Sequence, residues 1–132
     1  MNTSPLKAIF TELAPAPVGP YSQALVAGEW LFCSGQIPLD PSSGLLVGEG
    51  NIEAETHQVL SNLKAVLNAA GTQPSQVVRT TIYLIDLNDF EKVNAIYAET
   101  FLSISSPARA CVQVAALPKG ARVEIDCIAW MG

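Results

Sequence analysis

The sequence predicts an α+β fold: a six-stranded mixed sheet with two helices on one of its faces. Three observations lead there. Two segments repeat apolar residues at three- and four-residue steps, as amphipathic helices do, and six shorter segments are β-branched, aromatic or strictly alternating. Their order along the chain is β-β-β-α-β-α-β-β, and two helices covering one face of a mixed sheet satisfy that order.

The first strand is short and lies near Lys7 to Thr11. Ala14-Pro-Ala-Pro-Val-Gly-Pro20 follows. Three prolines and a glycine exclude helix and inner strand there, leaving an ordered loop of fixed shape. That loop leads into a strand over Tyr21 to Val26, and Gly28 separates it from a partner over Trp30 to Ser34, the pattern of a hairpin. Asp40-Pro-Ser-Ser-Gly44 is turn chemistry.

The period then changes. Ile52, Thr56, Val59, Leu60, Leu63, Val66, Leu67 and Ala70 fall on one helical stripe. Glu53 and Glu55 sit in the first turn, where the helix dipole favours negative charge, and Gly71 is placed to end the helix in a left-handed conformation. Val77 to Ile85 reads as a strand. Asn88 with Glu91 resembles a capping box for a second helix whose stripe is Phe90, Val93, Ile96, Tyr97 and Phe101, with Ser105-Ser-Pro107 as the stop.

The last two strands alternate strictly. Ala108, Ala110, Val112 and Val114 form an apolar row, with Arg109, Cys111 and Gln113 on the other side. In Ala121 to Trp130 the apolar row is Val123, Ile125, Cys127 and Ala129, opposed by Arg122, Glu124 and Asp126. With apolar rows turned to the helices, Arg109 and Glu124 share the opposite face. That face keeps enough apolar surface to suggest that sheets of several subunits pack together.

Composition narrows the function. The 132 residues suit one domain spanning 1–132, and 49% hydrophobic against 14% charged residues argues for a packed, self-associating protein rather than disorder. Seven basic and twelve acidic residues give a net charge of -5, and without a basic cluster nucleic acid is a poor partner. Met1 to Ala8 lacks the features of a signal peptide, and no apolar segment reaches membrane-spanning length. Cys33, Cys111 and Cys127 follow no CxxC spacing and lie in apolar runs, as buried free thiols do; a cytoplasmic protein without disulfides is the expectation.

Few residues are placed for chemistry. Arg109, an arginine between alanines, suits a bidentate carboxylate ligand or an internal ion pair with Glu124 or Asp126. Glu124, between Val123 and Ile125, suits a desolvated general acid or base, or a salt bridge. Cys111 is a space-filling residue or a nucleophile beside Arg109. The only histidine, His57, lies inside the first helix and gives it no obvious base. Three cysteines and one histidine show no zinc spacing, and Ser34-Gly35-Gln36 is too short for a phosphate loop. Tyr21 and Ser34 sit at strand ends, where they can reach a ligand or simply close a turn.

Six motifs appear in a definite order: Gly19-Pro-Tyr-Ser-Gln-Ala24; Ser34-Gly-Gln-Ile-Pro38; Asn62-Leu-Lys64; Asp86-Leu-Asn-Asp-Phe90 with Val93-Asn94; Pro107-Ala-Arg-Ala-Cys-Val112; and Leu117-Pro-Lys119 with Val123-Glu-Ile125. Together they cover nearly the whole chain and resemble the Rid (reactive intermediate deaminase, YjgF-like) family. The resemblance implies a chorismate-mutase-like fold, three subunits joining their sheets into a barrel, and ligand clefts between subunits. It further implies hydrolysis of 2-imino and 2-enamino acids, such as 2-iminobutanoate and 2-iminopropanoate, to 2-oxo acids and ammonia, without a cofactor. These intermediates leave pyridoxal-phosphate dehydratases, so the implied role is control of metabolite damage.

By the same resemblance Arg109 holds the substrate carboxylate and Glu124 positions or activates water. Tyr21, Ser34, Asn94 and Phe90 line the cleft, and Gly35 and Cys111 meet the ligand through backbone groups. No departure occurs at these positions. Three other readings remain open: a non-catalytic sensor of small carboxylates, a chaperone-like holder of unfolded clients, and the ribonuclease or translation-inhibitor activity attached to some relatives. The acidic charge opposes the last.

Overall fold

The structure is a computed structural model and describes residues 5–132; Met1 to Ser4, part of the segment read for a leader, lie outside the described residues. Six strands and two helices follow in the expected order: β1 (Leu6–Ile9), β2 (Ala24–Ala27), β3 (Trp30–Gln36), α1 (Ile52–Ala70), β4 (Val77–Leu84), α2 (Phe90–Phe101), β5 (Ala108–Gln113) and β6 (Val123–Trp130). They form one sheet in the order β1-β2-β3-β6-β4-β5. Only β4 and β5 are parallel, joined over α2, so the sheet is mixed as predicted.

One face of this sheet carries the core. Leu31, Ile82, Leu84, Val123, Ile125, Cys127 and Ala129 project there and join the stripes of both helices in a single cluster. The stripe of α1 is buried as its period requires, with Val59, Leu63, Val66 and Leu67 at 0–1% exposure. Each such side chain contributes about 1.5–3 kcal/mol by leaving water. Asn51 caps α1 by accepting from the Ala54 N–H at 3.0 Å, and Gly71 ends it at φ 88°. Cys33 and Cys127 face each other across β3 and β6 as buried free thiols, while Cys111 is half-buried. Contact with Cys33, then burial, drives the Cys127 thiol far up.

Local details differ from the sequence reading. The strand expected from Tyr21 begins at Ala24, because Gln23 is buried and turns its amide into the proline loop. That amide accepts from Thr11 N–H at 2.7 Å and donates to the Thr11, Ala14 and Pro15 carbonyls. The loop is therefore moulded around one side chain. The Asn88/Glu91 capping box does not form. Asp86 caps instead, accepting from Asn88 N–H at 2.9 Å, and a 3₁₀ turn over Leu87–Asp89 feeds directly into α2. Glu55 lies in the first turn as expected, yet it is fully buried and accepts from the Arg122 N–H at 2.9 Å.

The other sheet face is open and largely apolar. Trp30, Phe32, Val112 and Trp130 lie on it at 42–46% exposure. Among the described residues, no helix is long and apolar enough to cross a membrane.

Candidate functional site

The residues singled out from sequence gather into two groups on opposite faces of the sheet. This corrects the expectation that Arg109 and Glu124 share the face away from the helices. The β4–β5 register sets Arg109 against Thr80 and Cys111 against Ile82, and both partners are buried under the helices. The β4–β6 register sets Glu124 against Tyr83, whose row faces the open side. Alternation says which residues share a face but not which face is covered. In β5 the apolar row of Ala108, Ala110 and Val112 lies on the open side, because the strand is at the sheet edge and only its Cys111 reaches the core. The same geometry excludes the alternative of an ion pair between Arg109 and Glu124 or Asp126 within one copy of the chain.

The first group belongs to β5 and α2. Arg109 is exposed at the edge of the sheet, and its Nη1 donates to Asn94 Oδ1 at 2.6 Å. Its Cζ lies 5.4 Å from the centre of the Phe90 ring and 4.9 Å from that of Tyr97. Phe90, Asn94 and Tyr97 are spaced by four and three residues, so they stack on one side of α2 and form a wall along the guanidinium. A cavity of about 450 Å³ opens beside it, lined also by Phe101, Leu102 and Pro107. Cys111 lies two residues along the same face; burial pushes its thiol up, and the charge of Arg109 only partly offsets this.

The second group belongs to β3, β6 and the proline loop. A register shift between Cys33 and Gln36 carries Ser34 and Gly35 out of the regular ladder and against Glu124. A Cβ built on Gly35 would fall within the Glu124 carboxylate, 2.8 Å from its carboxyl carbon. Ser34 Oγ donates to the Ser22 carbonyl at 2.6 Å, which ties β3 to the segment carrying Tyr21. Tyr21 is exposed, and its hydroxyl accepts from Val18 N–H at 3.3 Å. Tyr21, Ser34, Gly35 and Glu124 line a cavity of about 410 Å³ together with Val18 and Lys119. Glu124 is half-buried; desolvation raises its carboxyl pKa, and the nearby Asp126 charge adds to the rise.

Two features of these groups escaped the sequence. Tyr97 reads only as a core residue of the second helix, although its spacing from Phe90 and Asn94 already places it on their side. Lys119 in the cavity of Glu124 adopts φ 59°, a left-handed conformation that Leu117-Pro-Lys119 does not announce.

A mixed sheet with two helices on one face, an arginine at its edge and a desolvated glutamate on its other face define a small α+β protein with two polar half-sites. The profile of the family described as Endoribonuclease L-PSP matches residues 11–131. A RutC family protein, slr0709 of Synechocystis, is 55% identical over 124 residues, covering 94% of this chain and 95% of its own length. The mouse 2-iminobutanoate/2-iminopropanoate deaminase is 53% identical over 126 residues, covering 96% and 92%. The crystal structure of YyfA from Yersinia pestis, a protein of unknown function of the conserved Rid family, superimposes with a TM-score of 0.91. It is 49% identical over 95% of this chain and 98% of its own. The chain belongs to this family, the Rid or YjgF-like proteins.

Proposed function

We propose that the chain is a deaminase that hydrolyses 2-imino and 2-enamino acids, such as 2-iminobutanoate and 2-iminopropanoate, to 2-oxo acids and ammonia. The observation that carries this reading is the chemistry of the two half-sites. Arg109 spends one donor on Asn94 and keeps the rest of its fork for a carboxylate. Glu124 has the partly desolvated carboxyl of a general base. The name of the mouse relative points to the same reaction.

Because the two residues lie on opposite faces, one copy cannot bring both to one small substrate. The proposal is therefore a homotrimer. Apolar open faces pack together, and each cleft takes Arg109, Asn94, Phe90 and Cys111 from one subunit and Tyr21, Ser34, Gly35 and Glu124 from its neighbour. A closed ring uses the same pair of surfaces at every interface.

The reaction needs no nucleophile from the protein. The carbon of a protonated imine is electrophilic, so water adds to it directly once the carboxylate is held. Glu124 takes one proton from the water as its oxygen bonds to carbon, then returns it to the nitrogen. The C–N bond breaks with its electron pair leaving on nitrogen as ammonia, and loss of the remaining hydroxyl proton leaves the 2-oxo acid. No step draws on a cofactor or metal. A net charge of -5 weighs against an RNA substrate.

The test couples the purified protein to a threonine dehydratase acting on threonine and follows 2-oxobutanoate release. Acceleration proportional to added protein is expected. Rates no faster than spontaneous hydrolysis at every protein concentration would leave only a carboxylate-binding protein.

A further inference from the structure

We infer that Tyr97 is a positioning residue that sets the affinity of the site for its carboxylate by holding the guanidinium of Arg109 in a ready plane; this rests on Arg109 being the carboxylate clamp. Arg109 and Thr80 are register partners on adjacent strands. Tyr97 reaches down from α2 over both. Its hydroxyl lies 2.7 Å from Thr80 Oγ1, in a bond buried in the core. Thr80 is 0% and Tyr97 6% exposed, so the ring is anchored within the buried core. The guanidinium carbon then lies 4.9 Å from that ring.

Stacking uses the face of a guanidinium and leaves its N–H edge free for in-plane hydrogen bonds. Asn94 takes one donor from that edge and so fixes rotation within the plane. Phe90 supplies a second aromatic contact at 5.4 Å. Between them these side chains restrict an otherwise exposed, rotamer-rich arginine before a ligand arrives. The ordering cost is then absent from the binding step, and carboxylate affinity rises accordingly. Tyr97 touches no reacting atom in this scheme, so its removal weakens binding and leaves the chemical step largely intact.

The experiment compares Tyr97→Phe, Tyr97→Leu and Arg109→Ala in oligomeric protein of unchanged circular dichroism. KM and kcat are measured with the coupled assay, and 2-oxobutanoate binding by calorimetry. Tyr97→Leu should raise KM and weaken 2-oxobutanoate binding roughly five- to tenfold, the worth of a cation–π contact, with kcat little changed. Tyr97→Phe, which keeps the ring but loses its bond to Thr80, should lose distinctly less affinity than Tyr97→Leu, with kcat again little changed. Side-chain NMR of ¹⁵N-arginine-labelled protein reads the stack without relying on a leucine variant that folds. The Arg109 Hε resonance should be shifted upfield by ring current in the wild type and in Tyr97→Phe. An unshifted resonance in the wild type overturns the inference. So does wild-type affinity in Tyr97→Leu when Arg109→Ala has lost binding, or an equal loss in Tyr97→Phe and Tyr97→Leu. Unchanged affinity in Arg109→Ala would instead remove the clamp reading itself.

Discussion

Gly35 and Glu124 occupy one volume between them: the carboxylate of Glu124 rests where a side chain at position 35 would stand. Backbone conformation does not require glycine here, since Gly35 lies outside the left-handed region. An alanine is therefore tolerated by the main chain and resisted only by the carboxylate, which is the movable partner. Gly35→Ala should leave stability and assembly nearly unchanged while displacing Glu124. Misplacing a catalytic group by an ångström costs about 10²-fold. We expect a fall in kcat of that order with KM little affected, and no loss beyond that of Glu124→Ala alone when Gly35→Ala is added to it. Additive losses in the double variant would show that the two positions act separately.

The separation of Arg109 and Glu124 across the sheet gives a test of assembly. Arg109→Ala and Glu124→Ala subunits should each be inactive alone. If each cleft in a ring takes one residue from each neighbour, random equimolar mixing restores both residues in roughly a quarter of the clefts. Mixed and reassembled protein should recover activity near that fraction. Mixtures as inactive as their parents, despite proven subunit exchange, would place both residues of a site in the same subunit.

The fold was legible where period and turn chemistry agree. The stripe from Ile52 to Ala70, the cap at Gly71 and the order of the six strands all carry over. The site was legible as a set of residues and illegible as a geometry. Strand parity correctly grouped Arg109 with Cys111 and Glu124 with Asp126. It could not say which face the helices cover, and the small apolar residues of an edge strand gave the wrong sign. Gln23 and Glu55 were missed for another reason. Glu55 is buried against Arg122, 67 residues on, and Gln23 by the preceding proline loop folding back over it, and neither contact is encoded in a local periodic pattern.

The pH dependence of catalysis should carry the mark of Asp126. Glu124 serves as a base only when ionised, so activity rises with pH through its carboxyl pKa. That pKa stands above the ordinary carboxyl value of 4.5, first by desolvation and second by the negative charge of Asp126. Asp126→Asn removes only the second cause. The acid limb of the kcat/KM profile should move to lower pH in this variant, yet remain above 4.5 because burial persists. An unmoved or raised limb would mean that another group controls it.

Cys111 tests whether the reaction needs a protein nucleophile. Its thiol is half-buried and pushed up by desolvation, the reverse of what an activated thiolate requires. Cys111→Ser should keep a kcat within about threefold of wild type, well short of the roughly millionfold loss that follows removal of a true nucleophile. It should also resist thiol-alkylating reagents. Loss of activity in this variant, with its fold intact, would restore covalent catalysis.

Glu55 gives the last prediction, which concerns stability. Its carboxyl is fully buried with Oε1 on the Arg122 N–H and no partner for Oε2 among the described residues. Desolvation is the main cause of its raised pKa, and hydrogen bonding from Arg122 opposes it. The folded protein therefore holds a proton that the unfolded chain has released, over the pH window from 4.5 up to the folded value. In that window the native state binds more protons, so the contribution of Glu55 to stability is full below 4.5 and is lost as pH rises through the folded pKa. Glu55→Gln keeps an acceptor for Arg122 and cannot ionise. Unfolding free energies from denaturant titrations between pH 4 and 9 should fall for wild type relative to this variant by about 1.4 kcal/mol for each unit of elevation. Parallel curves would show that Glu55 titrates alike in both states, and that water reaches its second oxygen.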